Sequence, residues 1–70
     1  MNWIETPDSS NIARFRYISE SSILEIEFQK GGLYQYFDVP VGIFEQMKVA
    51  SSTGQFFAQN IKGVFRFARG

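Results

Sequence analysis

No cysteine stands anywhere in this chain of 70 residues, and that absence narrows what it can fold into more than any other feature. A domain of this length buries only about 60% of the surface its unfolded chain exposes, so small domains lean on disulfides, structural metals or self-association. Disulfides and thiolate metal sites are excluded outright. Histidine is absent too, which removes the commonest remaining ligand for zinc, copper and iron. What the chain has instead is aromatic mass: eight Phe, three Tyr and one Trp. Each buries roughly 150–250 Å², so a dense aromatic core can partly replace the missing staples. Homo-oligomerisation is the other route. The expectation is a single domain over residues 1–70 that holds no metal and no cofactor.

No apolar run approaches the roughly 18 residues needed to cross a bilayer. Met1-Asn2-Trp3-Ile4-Glu5 lacks the basic start and apolar stretch of a signal peptide. A cytoplasmic protein without membrane contact is therefore expected. Formal charge is zero but unevenly spread. Residues 1–45 hold three basic and seven acidic groups, a balance of −4, whereas Lys48, Lys62, Arg66 and Arg69 stand in residues 46–70 without an acid, a balance of +4. Such asymmetry fits either a basic face for an anionic partner or an ordinary solvated surface.

Residues 1–8 read as an extended lead-in, and Asp8-Ser9-Ser10 as a turn. Asn11 to Ile18 alternates, with Ala13, Phe15 and Tyr17 on one face and Ile12, Arg14, Arg16 and Ile18 on the other, the period of a strand. Ile23 to Gln29 alternates more cleanly, Leu24, Ile26 and Phe28 against Glu25 and Glu27. Lys30-Gly31-Gly32 makes a tight hairpin connection. A third strand, Leu33 to Phe37, points Tyr34 and Tyr36 the same way. Pro40 suits a first helical position, and Ile43, Phe44, Met47 and Ala50 give the apolar stripe of a helix of about ten residues. Ser52 and Gln55 fit a capping box for a second helix that carries Phe56, Phe57 and Ile61 and stops at Gly63. Val64 to Arg69 alternates once more, as a short final strand or tail. The fold class expected is α+β: a three- or four-stranded antiparallel sheet with two short helices on one face. An SH3-like barrel with a helical insertion is the structural alternative.

In this order and spacing, several of these pieces resemble the KTSC domain, a small bacterial and phage module named for the C-terminus of some lysyl-tRNA synthetases. The carrying residues are Leu24-Glu25-Ile26-Glu27-Phe28, the glycine at 31 or 32, Tyr34-Gln35-Tyr36, Val39-Pro40 with Phe44, and Ser52-Thr53-Gly54-Gln55-Phe56-Phe57 with Asn60-Ile61. The chain departs from the family where Phe65-Arg66-Phe67-Ala68-Arg69 replaces a tyrosine-rich ending and where Arg16-Tyr17 replaces Gly-Tyr. The resemblance implies a fold, and from the company the family keeps it implies RNA binding.

Catalysis is not expected. The usual general base and the easiest nucleophile are missing, and Glu25 and Glu27 read as the solvated face of a strand. Binding candidates are more numerous. Tyr34 and Tyr36 can stack bases or form the core side of the sheet. Arg14 and Arg16 would join them in a basic-aromatic surface if all four share a face. The start of the second helix, with Ser52 and Thr53, offers free N–H groups to an anion or is simply capped, with Lys62, Arg66 and Arg69 close if the tail folds back. Asn60, near the core side, would bond backbone groups of the final strand or a ligand. Trp3 is a lid on the core or an oligomer contact. The expected function is a non-enzymatic module for phosphate-bearing ligands, with single-stranded RNA or DNA as partner. Two alternatives stand beside it: a homo-oligomeric sponge for a nucleotide-type signal, of the phage anti-defence kind, and a protein-interaction module.

Overall fold

Alternation builds the sheet. In the computed structural model, which describes residues 2–70, five antiparallel strands run in chain order: β1 (Ile4–Glu5), β2 (Ile12–Ile18), β3 (Ile23–Phe28), β4 (Leu33–Tyr36) and β5 (Phe67–Arg69). The helices α1 (Val41–Lys48) and α2 (Thr53–Asn60) fill the connection between β4 and β5. The architecture is the expected α+β, and the sheet is open rather than closed into a barrel. It has one strand more than expected, because Ile4 and Glu5 of the lead-in pair with Phe15 and Arg14.

Register sorts the side chains. Leu24 lies opposite Tyr17 and Tyr36, and Ile26 opposite Phe15 and Tyr34. These residues share the face that both helices cover, where Phe44 and Met47 of α1 and Phe57 of α2 join them in the buried core. Phe44 stacks on Tyr17 at 5.3 Å and meets Phe15 edge-on at 5.8 Å, the offset and T-shaped geometries that aromatic quadrupoles favour. Tyr17 also donates its hydroxyl hydrogen to Val39 C=O at 2.6 Å, tying the sheet to the entry of α1.

One core residue breaks the alternation. Ile12 was expected to face away from Phe15 and Tyr17, yet it is fully buried among them. The register of β2 against β3 shifts between Ile12, opposite Phe28, and Arg14, opposite Glu27. Ala13 is the extra residue of a β-bulge, which returns Ile12 to the core side. At the same end of the sheet, Gly31 and Gly32 have φ of +95° and +98°, and this lets the chain turn from β3 into β4.

Both helices begin where expected, within a residue. Pro40 is the residue before α1 rather than its first residue, with ψ of 144°. Ser52 caps α2 by accepting from Gln55 N–H at 3.2 Å. Gln55 makes no reciprocal side-chain bond among the described residues, so only half of the capping box forms. Among the described residues, no helix is long and apolar enough to cross a membrane.

Candidate functional site

The sheet's two faces have opposite chemistry. On the face without helices, Arg14 pairs with Glu27 at 2.6 Å and Arg16 with Glu25 at 2.5 Å, each across the β2–β3 ladder. Gln35 donates to the second oxygen of Glu25 at 2.8 Å. Glu25 is 4% exposed. Burial on its own pushes its carboxyl up, but the hydrogen bonds from Gln35 and Arg16 and the Arg16 charge outweigh it and hold the carboxyl below its ordinary value. Trp3 lies over both guanidiniums, its ring 4.5 Å from each. Trp3 is therefore a lid, but over the arginines and not over the core.

This settles the condition left open by the sequence. Arg14 and Arg16 do not share a face with Tyr34 and Tyr36, because Arg14 lies opposite Glu27 and Arg16 opposite Glu25, whereas both tyrosines lie opposite core residues of β3. The basic-aromatic surface built on those two arginines does not exist, and both are spent on carboxylates and indole.

A different basic-aromatic surface forms on the helix side. Phe28, Tyr34, Tyr36, Phe57 and Phe67 line a groove of about 530 Å³ between the end of α2 and the β4–β5 edge. Its rings are interlocked. Tyr34 meets Phe28 edge-on at 5.2 Å, and Phe67 leans over both Tyr34 and Tyr36 with centroids at 5.5 Å. Lys30 from the hairpin and Lys62 from the end of α2 stand on the rim, and the Arg69 guanidinium sits 5.8 Å from the Tyr34 ring. No Asp or Glu lines this groove among the described residues.

Within it, Tyr36 is 4% exposed, and its hydroxyl makes no hydrogen bond to another described residue. Among the described residues no buried side-chain N or O is left unpaired, so this hydroxyl opens onto the groove. Burial, and then the neighbouring Tyr34, push its pKa up. It is a protonated donor at neutral pH.

The remaining candidates lie elsewhere. Ser52 and Thr53 line a separate, more polar hollow of about 660 Å³ that also takes in Glu5, Asp8 and Lys48. The Ser52 hydroxyl is occupied by capping, and the two carboxylates oppose an anion there. Asn60 bonds the Phe56 C=O of its own helix at 3.1 Å, not the final strand, and does not line the groove. Arg66 pairs with Asp38 at 2.9 Å and stands over the Phe37 ring at 5.9 Å, on the far side of β5. Of the ten candidates, Tyr34, Tyr36, Lys62 and Arg69 are brought together. Sequence reasoning named neither Lys30 nor Phe67 among the binding candidates. Phe67 is 57% exposed and holds the middle of the groove. The signal was its place between Arg66 and Arg69 on a strand with only three residues to bury it.

Sequence and structure comparisons agree with this description. The profile of the KTSC domain matches residues 8–65. Lysine–tRNA ligases of Trichormus variabilis and Nostoc punctiforme are 41% and 43% identical over 61 residues, which is 87% of this chain. The chain spans only 11% of the length of those ligases. An uncharacterized protein of Stutzerimonas stutzeri is 39% identical over 54 residues, 77% of this chain and 76% of that one. The crystal structure of a KTSC domain protein from Yersinia pestis superposes with a TM-score of 0.92 at 33% identity, covering 99% of this chain and 96% of the other. With the profile spanning β2 through α2 and the whole backbone matched, this chain belongs to the KTSC domain family.

Proposed function

We propose that this protein is a non-enzymatic binding module for a ligand that joins a flat ring to phosphate, and that the ligand is a short stretch of single-stranded nucleic acid seated in the aromatic groove. One observation carries the reading: five aromatic side chains and two lysines line a groove without a carboxylate among the described residues, and the Arg69 guanidinium stands beside its Tyr34 ring. Phe67 and Tyr34 offer ring faces on which any base can stack, worth about 1–3 kcal/mol per base. Lys30, Lys62 and Arg69 meet phosphate, and the Tyr36 hydroxyl donates to an acceptor at the floor. Arg14, Arg16, Ser52, Thr53, Asn60 and Arg66 take no part. The names of the lysine–tRNA ligases in which related segments occur tie those proteins to an RNA, and this favours RNA over DNA here.

The test is a fluorescence titration of short single-stranded oligonucleotides across salt concentrations. Three phosphate contacts give a slope of log K against log salt of about −2. Phe67→Ala weakens binding by roughly tenfold, within the stacking range above, and keeps a cooperative thermal melt because the side chain is mostly exposed. Affinity that ignores salt, or that survives loss of Phe67, overturns the reading. The groove's volume favours a second one, a single nucleotide-type molecule, since about 530 Å³ falls in the range of small-ligand sites. A mononucleotide that competes fully with the oligonucleotide identifies that case.

A further inference from the structure

We infer that the β5 edge is the self-association surface of this protein, and that two copies join edge to edge about Ala68 to merge their grooves. The argument starts from hydrogen-bond parity. Phe37 N–H donates to Arg66 C=O at 2.9 Å and Gly70 N–H to Leu33 C=O at 2.6 Å, while Ala68 lies opposite Gln35. In an antiparallel ladder such groups alternate sides. Arg66, Ala68 and Gly70 therefore turn their backbone toward β4, and Phe67 and Arg69 turn their N–H and C=O groups outward, where nothing among the described residues meets them. A free edge of this kind is a template for another strand. The opposite edge is blunted: β1 is two residues long and Pro7 follows it closely.

A second β5 fits this edge because the edge complements itself. With Ala68 on a two-fold axis, Phe67 of one copy lies opposite Arg69 of the other, and the two exchange both backbone bonds. Four hydrogen bonds form from two three-residue strands. Ala68 faces its own counterpart as a non-hydrogen-bonded pair, where Cα atoms approach to about 4.5 Å, and its small side chain permits that approach. Phe67 and Arg69 both point to the helix face, so each Phe67 ring receives a guanidinium from the partner, a cation–π pairing. Val64, exposed on the turn beside this edge, and the exposed Phe67 lose water together. The contact is isologous and closes on itself, which gives a dimer and no longer chain. Both sets of helices then lie on one side of a continuous sheet, and the two aromatic grooves meet at the axis, each completed by the partner's Arg69.

The self-association stands without any ligand; only the merging of two grooves into one site rests on the function proposed above. The chain's lack of cysteine makes the test direct. Ala68→Cys places two thiols across the axis at a Cα separation that a disulfide accepts. Mild oxidation is expected to convert that variant to a covalent dimer, whereas Ser21→Cys, on an exposed turn far from the edge, stays monomeric at the same concentration. Sedimentation of the unaltered protein without ligand gives a reversible dimer. Phe67→Pro removes an outward N–H without touching the β4 ladder, and the loss of two bonds per dimer weakens association more than about tenfold. Circular dichroism confirms that it is folded. A protein that sediments as a monomer at every concentration, or equal crosslinking of the two cysteine variants, overturns the inference. Oligonucleotide binding by a strict monomer overturns it while leaving the ligand reading intact, and a dimer without affinity for any nucleotide does the reverse.

Discussion

Glu25 is nearly inaccessible, yet it sits on the face of the sheet that no helix covers, and its neighbours explain how. Arg16 and Gln35 each hold one of its oxygens, so the carboxylate keeps its charge where water cannot reach it. Glu25→Gln leaves Arg16 without its partner and is expected to lower stability by about 1.5 kcal/mol, the scale of a hydrogen bond to a charged group, read by urea unfolding. The pH dependence follows in sign. A carboxyl held lower in the folded chain than in the unfolded one contributes stability above its ordinary range, and that contribution fades as pH falls through the folded value. Unfolding followed from neutral pH down to below the ordinary carboxylate range should therefore show a decline there that is shallower in Glu25→Gln. At this scale the sequence was legible in part. Leu24-Glu25-Ile26-Glu27-Phe28 announced an apolar and an acidic face, but the acidic face read as solvated. The cross-strand partners that bury Glu25 depend on register, which alternation within one strand does not contain.

Elements whose pattern repeats over several residues could be read directly. The middle three strands and both helices were legible because each carries its period for four residues or more. β1 was not, since two residues hold no period, and Ile4 and Glu5 become a strand only because Phe15 and Arg14 are there to pair with. The start of α2 was legible for a local reason: a serine three residues before Gln55 satisfies an orphan N–H within the same turn. Ser52→Ala should lower stability by about 1 kcal/mol in thermal or chemical unfolding. It should leave oligonucleotide affinity unchanged, because Ser52 lines a different hollow from the aromatic groove. A drop in affinity without a drop in stability would return the helix start to the binding site.

The whole molecule depends on very few large side chains. Phe44 bridges α1 to Phe15 and Tyr17 of β2 and is 1% exposed. Its truncation to alanine removes about 3–5 kcal/mol, a large share of the stability of any domain. Phe44→Ala should lose its cooperative melt near room temperature, as followed by near-ultraviolet dichroism. The candidate site is legible only at this scale, because it gathers Phe28, Tyr34 and Phe67 from three strands and Lys62 from beyond a helix. Tyr34 and Tyr36 could be named from the sequence, whereas their separation from Arg14 and Arg16 could not. The bulge in β2 bears on the chain's length as well as on its shape. Ala13 is a spare residue with respect to β3, so a chain lacking it still sets Ile12 opposite Phe28 and Arg14 opposite Glu27. Its removal takes away the C=O to which Thr6 N–H donates, whereas removing Arg16 would turn Phe15 outward and Arg14 into the core. Within this strand, a single codon can be lost at one place and the protein should still fold.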